Sequence, residues 1–287
     1  MAIKSFVEST AEKLPSDERD DIMFTCQQAI AAIGAWKQHQ IRSIQQDKAR
    51  TDILDALDDA SVLITQDWAM KFLPQKYRET QTDWFGKRGI SWHISVAVKR
   101  STSGKLQHQV FVHIVENSSQ DTDVVVPIMR SVLTELKKQD PKISSASYRQ
   151  DNAGCYHSGA MVAACCLLEE STGVKVERVD FSDPQGGKGI CDRKAATIKS
   201  HVRRYINEGH DVVNAKQLKD AILSNGGVRG VRVALVDGRD IKPLQSIKIV
   251  GISTLNNFVI CNKEITAWKA YVIGEGKIIP WAKLEGK

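Results

Sequence analysis

No run of apolar residues in this 287-residue chain approaches the roughly 18 needed to span a bilayer, so no membrane partner is expected. The first 14 residues are polar and lack the apolar stretch of a secretion signal. Six cysteines give no disulfide framework, and the adjacent Cys165 and Cys166 lie in an apolar helical run that suits buried thiols. No C-x-x-C knuckle is present to turn Cys155, His157, Cys191 and His201 into a zinc site. Nucleotide hydrolysis is disfavoured as well, because the loop Gln185-Gly186-Gly187-Lys188-Gly189 has no glycine five before Gly187 and no Ser or Thr after Lys188. His93, His108 and His113 have no acid–nucleophile partner nearby in sequence, and nothing points to a hydrolase triad. Neither sign of charge dominates: 40 Lys+Arg against 34 Asp+Glu leave +6, a balance that admits a polyanionic partner without requiring one. What remains is a globular chain, 42% hydrophobic and 26% charged, expected in a reducing intracellular compartment, nuclear or cytosolic.

The length suits one large core with an appendage, or two small domains. Helical spacing of Ile22, Met23, Ala29, Ile30, Ile33 and Trp36 marks residues 16–59 as helical, with a second stretch starting at Ile41. The acidic positions Asp52, Asp55, Asp58 and Asp59 read as a solvated face. A strand follows from residue 61 through Asp67 to Leu73, then a polar loop over 75–88. Ile90, Trp92, Ile94, Val96 and Val98 alternate, as do Val110, Val112 and Ile114, which makes a three-stranded meander. A helix over 123–138, with Pro127 in its first turn, precedes a strand over 144–149, a helix over 159–170, a strand over 174–181 and a helix over 192–208. A helical stretch over 215–223 and a β-rich tail complete the chain. The order implies a mixed sheet with helices on its faces. The expected organisation is an N-terminal helical segment (1–60), a core (61–226) and a small β-rich C-terminal appendage (227–287).

Two aspartates stand at the ends of apolar, strand-like runs: Asp67 in Gln66-Asp67-Trp68-Ala69-Met70-Lys71 and Asp151 in Tyr148-Arg149-Gln150-Asp151-Asn152. A third acidic segment, from Asp180 to Arg193, holds Asp183 and Asp192. Carboxylates at strand ends converge although they are far apart in sequence, and a divalent cation offsets their repulsion. Asp67, Asp151 and Asp192 are the candidate ligands for Mg2+ or Mn2+. Asp183, just before a proline-glycine loop, rivals Asp192, which near a helix start can serve as an N-cap instead. The choice between them stays open. Basic residues flank these segments. Lys87 and Arg88 adjoin Trp84 and Phe85, Lys188 lies in the glycine loop, and Arg193, Lys199, Arg203 and Arg204 share one helix. Such interleaving of charge and ring suits phosphates and unstacked bases.

The element order is similar to that of ribonuclease H-like domains, which carry their acids on the first strand, on the fourth strand, and at the helix after the fifth. Residues 61–284 also resemble a group of metazoan transposon-derived proteins with a DDE/DDD-type transposase core. The matching segments include Asp67-Trp68-Ala69-Met70-Lys71, Gly86-Lys87-Arg88-Gly89-Ile90-Ser91-Trp92-His93, Asp151-Asn152-Ala153-Gly154-Cys155-Tyr156-His157, the run from Asp180 to Arg193, and Trp268-Lys269-Ala270-Tyr271. The resemblance implies an α/β fold of ribonuclease H-like type, metal-dependent DNA cleavage and strand transfer, and assembly as a homo-oligomer on DNA ends. Two departures qualify the activity: Asp183 stands where related elements more often have glutamate, and no N-terminal zinc finger is evident. The chain accordingly reads as a fragment or a domesticated remnant that binds DNA or a protein. A 3′–5′ exonuclease ranks third, since the Asp-x-Glu pair of that class is missing where Asp67 precedes Trp68 and Ala69.

Overall fold

The computed structural model describes residues 2–182, 189–262 and 264–283. Helix α1 (Ala2–Ala11) leads into α2 (Ser16–Ala56), one continuous helix of 41 residues rather than two. Nothing between Ser16 and Ala56 breaks it, for the segment holds no proline and its single Gly34 costs only about 1 kcal/mol against alanine. Its C-terminal part alone meets the core, burying Gln46, Ala49 and Ile53. Arg100 closes that end by donating to the carbonyls of Leu54 (2.7 Å) and Leu57 (2.9 Å), which the last helical turn leaves unpaired.

The core meander is β1 (Ser61–Phe72), β2 (Ile90–Arg100) and β3 (Leu106–Glu116), with a short helix α3 (Gln81–Trp84) inside the 73–89 connection. That helix was unexpected in a polar loop. A reciprocal cap forms it, Thr80 accepting from the Asp83 N–H while the Asp83 carboxylate accepts from the Thr80 N–H. Then follow α4 (Thr122–Gln139), β4 (Ser145–Asp151), α5 (Gly159–Thr172), β5 (Lys175–Ser182), α6 (Ile190–Asn207) and α7 (Ala215–Leu223). Pro127 sits in the second turn of α4 rather than the first, at the cost of one hydrogen bond to the Asp123 carbonyl. The C-terminal residues add β6 (Val231–Asp237), β7 (Asn257–Ile260), β8 (Glu264–Trp268) and β9 (Lys277–Pro280).

Among the described residues all nine strands form one sheet, in the order β6-β3-β2-β1-β4-β5-β7-β8-β9. β1–β2 and β2–β3 pair antiparallel, β1–β4 and β4–β5 parallel. This 3-2-1-4-5 centre, with helices after strands three, four and five, is the ribonuclease H-like arrangement. The β-rich tail extends it at both edges. β6 pairs parallel with β3, and β7 pairs antiparallel with β5.

Alternation sorts the side chains into two layers. Val62, Ile64, Phe111, Val115 and Tyr148 pack beneath α4 and α5. Trp92, Ile94, Val96, Val110, Val112 and Ile114 pack beneath α6 and α7. A smaller cluster joins Leu63 and Val98 to Ile53 and Leu57 of α2.

Candidate active site between β1, β4 and α6

The last parallel pair of β1 and β4 is Thr65 with Arg149. Asp67 and Asp151 each lie two residues beyond that pair, so the alternation of each strand turns both toward the same side of the sheet as Leu63 and Thr65. Asp67 faces Ile94 across β2, beneath the start of α6. Helix α6 is pinned there by Cys191, whose thiol lies 3.4 Å from the Thr65 carbonyl oxygen and 4.0 Å from that of Ile94. The next residue, Asp192, is exposed in the first helical turn, where the exposed N–H groups favour a negative charge. It stands three residues inside α6 and is not the N-cap, a position held by Gly189.

Electrostatics ties the three acids together. Burial raises the Asp67 carboxyl to about 7, and the charges of Asp151 and Asp192 push it the same way against a stabilising backbone hydrogen bond from Trp68. The charges of Asp67 and Asp192 add to burial in raising the Cys191 thiol. No Lys or Arg forms an ion pair with Asp67, Asp151 or Asp192 among the described residues. Asp151 accepts the Ala153 N–H at 3.0 Å, which fixes the turn leaving β4. Among the described residues no three His, Cys, Asp or Glu side chains are grouped closely enough to hold one ion. Asp183 and Lys188, with the glycine loop, lie outside the described residues.

Asp180 shows the contrast of an acid fully committed to structure. It is 1% exposed on β5, ion-paired to Arg178 at 2.9 Å and hydrogen-bonded by Asn257 at 2.7 Å, while the Arg178 guanidinium lies 4.0 Å from the centroid of the Tyr271 ring. Such a carboxylate has no remaining need for a cation.

The basic candidates divide. Lys87 donates to Glu79 at 2.5 Å and lies over the Trp84 ring, so its charge is already matched within the loop. Arg88 is exposed beside it, and Trp84 and Phe85 are 67% and 73% exposed, free of the core that an anchoring role would need. Arg193 is exposed one residue after Asp192. Lys199 lies over the ring of Trp92, a core residue, at 5.8 Å. Arg203 and Arg204 are exposed ten residues or more beyond Arg193, about 15 Å along the helix and so well away from the acids. The structure adds Arg149 and Arg50, which the sequence reading had not singled out. Arg149 is buried on the same face as Asp151 and donates to the Gln46 carbonyl at 2.8 Å.

A ribonuclease H-like sheet that carries Asp67 within β1, Asp151 at the end of β4 and Asp192 in the first turn of α6 is the class that fold and site define. The chain belongs to the family described as "Domain of unknown function (DUF8701)", which residues 35–248 match. No curated protein matches the sequence. Among solved structures, the human cytomegalovirus terminase nuclease domain is similar at 13% identity with a TM-score of 0.26, covering 62% of this chain and 66% of that one. The Mos1 mariner paired end complex with Mn is similar at 9% identity with a TM-score of 0.29, covering 66% of this chain and 63% of that one. In both cases the chain spans just under two thirds of the matched structure's length. The fold assignment rests on the strand order.

Proposed function

We propose that the chain is a transposase-like catalytic domain for metal-dependent cleavage and strand transfer of DNA, working in the nucleus. The observation that carries this reading is that Asp67 and Asp151 share one face of the sheet, with the charge of Asp192 on α6 felt at Asp67 and with no ion pair to any of the three among the described residues. Carboxylates held together without partners are destabilising unless they take up a proton or a cation. Asp67 and Asp151 would hold Mg2+ or Mn2+, with Asp192 or Asp183 as the third ligand. Bound divalent ions supply the positive charge that activates an attacking oxygen and stabilises a leaving one. The side chains do the rest. β1 and β4 fix the spacing of the first two carboxylates, Cys191 docks α6 so that Asp192 stays within electrostatic reach, and Arg193 offers a phosphate contact beside them. Arg88, Lys188, Lys199, Arg203 and Arg204 are further DNA contacts in this reading, and two copies would bring two DNA ends together.

The test is nicking of DNA bearing the element's ends, with Mg2+ or Mn2+, by the wild type and by Asp67→Ala and Asp151→Ala. Both variants should lose nicking and keep DNA binding. An inactive Asp192→Ala assigns Asp192 as the third ligand, and an inactive Asp183→Ala assigns Asp183. Retained nicking in Asp67→Ala would falsify the reading.

A second reading, a domesticated remnant that binds DNA without cutting it, is favoured by one observation: no complete three-ligand group exists among the described residues. Wild-type protein that binds DNA yet nicks with neither metal would select it.

A further inference from the structure

Between α2, the sheet and the start of α6 lies a cleft of about 470 Å3, on the same sheet face as Asp67 and Asp151. Three guanidinium groups line it: Arg50 from α2, Arg149 from β4 and Arg193 from α6. Arg50 and Arg193 are exposed and form no ion pair among the described residues. Asp47 is the one carboxylate in the lining, which leaves the walls with a formal excess of two positive charges. The pKa of His108, in the same lining, is lowered by burial and then by Lys194 and Arg193. Arg50 and Arg193, without an ion pair among the described residues, give these walls a positive excess that asks for an anion.

The rest of the lining narrows its identity. Leu63, Val98 and Ile190 give the cleft an apolar floor and side wall. Its volume falls in the range that takes a small organic ligand, far more than an inorganic phosphate fills. The cleft also stands in fixed register with the acids. Thr65 and Arg149 line it, each two residues before Asp67 and Asp151, which is about 7 Å along the strands. That is the scale of one nucleotide step.

We propose that this cleft is a binding site for one nucleoside phosphate unit, its phosphate held by Arg50, Arg149 and Arg193 and its sugar and base resting on Leu63, Val98 and Ile190. The unit is either a free mononucleotide or one nucleotide of a DNA strand that runs on to the acids, and only the latter source rests on the function proposed above.

The experiment is calorimetric titration of the whole protein in EDTA with thymidine 5′-monophosphate, thymidine, inorganic phosphate and a five-residue oligothymidylate. The monophosphate or the oligomer should bind at least about tenfold tighter than thymidine or phosphate alone. The double variant Arg50→Ala/Arg193→Ala, whose sites are exposed and whose folding is checked by its melt, should lose about tenfold or more of that affinity. For the oligomer, the variant's slope of log affinity on log salt should fall by up to about one, as expected when one phosphate is no longer neutralised. Tighter oligomer than monophosphate binding assigns the DNA strand, and equal binding assigns a free nucleotide. Affinities no better than that of phosphate, or unchanged in the double variant, overturn the site. Asp67→Asn should leave these titrations intact while abolishing nicking. Intact titrations from a wild type that never nicks would sink the cleavage reading and leave the cleft standing.

Discussion

One residue apart on β1 and β4, two polar pairs face opposite sides of the same sheet. Gln66 and Gln150 turn toward α4 and α5, where both are buried and Gln66 donates its amide to the Gln150 side-chain oxygen at 2.5 Å. Asp67 and Asp151 turn toward α6, half-buried and without a donor strong enough to balance them. An amide carries both a donor and an acceptor, so two of them can share a hydrogen bond without bringing charge together. Two carboxylates carry acceptors only, and bringing them together creates a need that no ion pair among the described residues meets. A single step of the strand alternation thus separates the neutral pair from the charged one.

The largest effect should come from making the two faces alike. Asp67→Asn keeps the shape and removes the charge, so metal-dependent nicking should fall on the order of 10^3-fold or more, as for loss of a group that acts as part of a unit. Next comes the acid that is already satisfied. Asp180→Ala strands Arg178 in the interior and should lower stability by about 3–5 kcal/mol in a denaturant melt. A loss near zero would mean that Asp180 is no more structural than Asp67. On the amide face, Gln150→Leu should cost about 1–3 kcal/mol by orphaning Gln66, with nicking per folded molecule unchanged.

The smallest effect is a slope. The Asp67 carboxyl is raised in the folded state to about 7 from an ordinary value of 3.8, so the folded protein binds more protons between those limits and stability should fall as pH rises through that window. Screening at this half-exposed site limits the change to about 1–2 kcal/mol, and Asp67→Asn should flatten it. The opposite face slopes the other way. His93 is held neutral by burial and by the charge of His113, and His113 is pushed down to about 4 by burial, so stability should fall as pH drops below about 6.5. Melts from pH 4 to 8 on wild type and Asp67→Asn separate the two contributions.

Much of this was legible in the sequence because it is local. The alternation from Ile90 to Val98 marks β2, the end of its strand places Asp151, and caps such as Ser158 before α5 mark helix starts, whereas Asp67 lies inside β1 and not at its end. The long-range pairings were not legible. Nothing in the segment from Val231 to Asp237 says that it joins β3 while the strand after Asn257 joins β5, because partner choice depends on which edges the fold leaves open. The arginine cleft was hidden for the same reason: Arg50 and Arg149 meet only after α2 lies across the sheet. One local signal was available. Arg149 and Asp151 are two apart in a strand, which alone puts them on one face.

The placement of the tail strands fixes where this molecule can be cut. β6 covers the outer edge of β3 along seven paired positions, and β7 covers that of β5. Phe258, Ile260, Ile265 and Ala267 belong to the same buried cluster as α4 and α5. A protein ended at residue 226 would therefore keep every candidate acid and lose its solubility, with two long strands open to edge-to-edge association and an apolar wound beside them. Limited proteolysis should accordingly leave residues 231–280 attached to the core even when the chain is nicked before them.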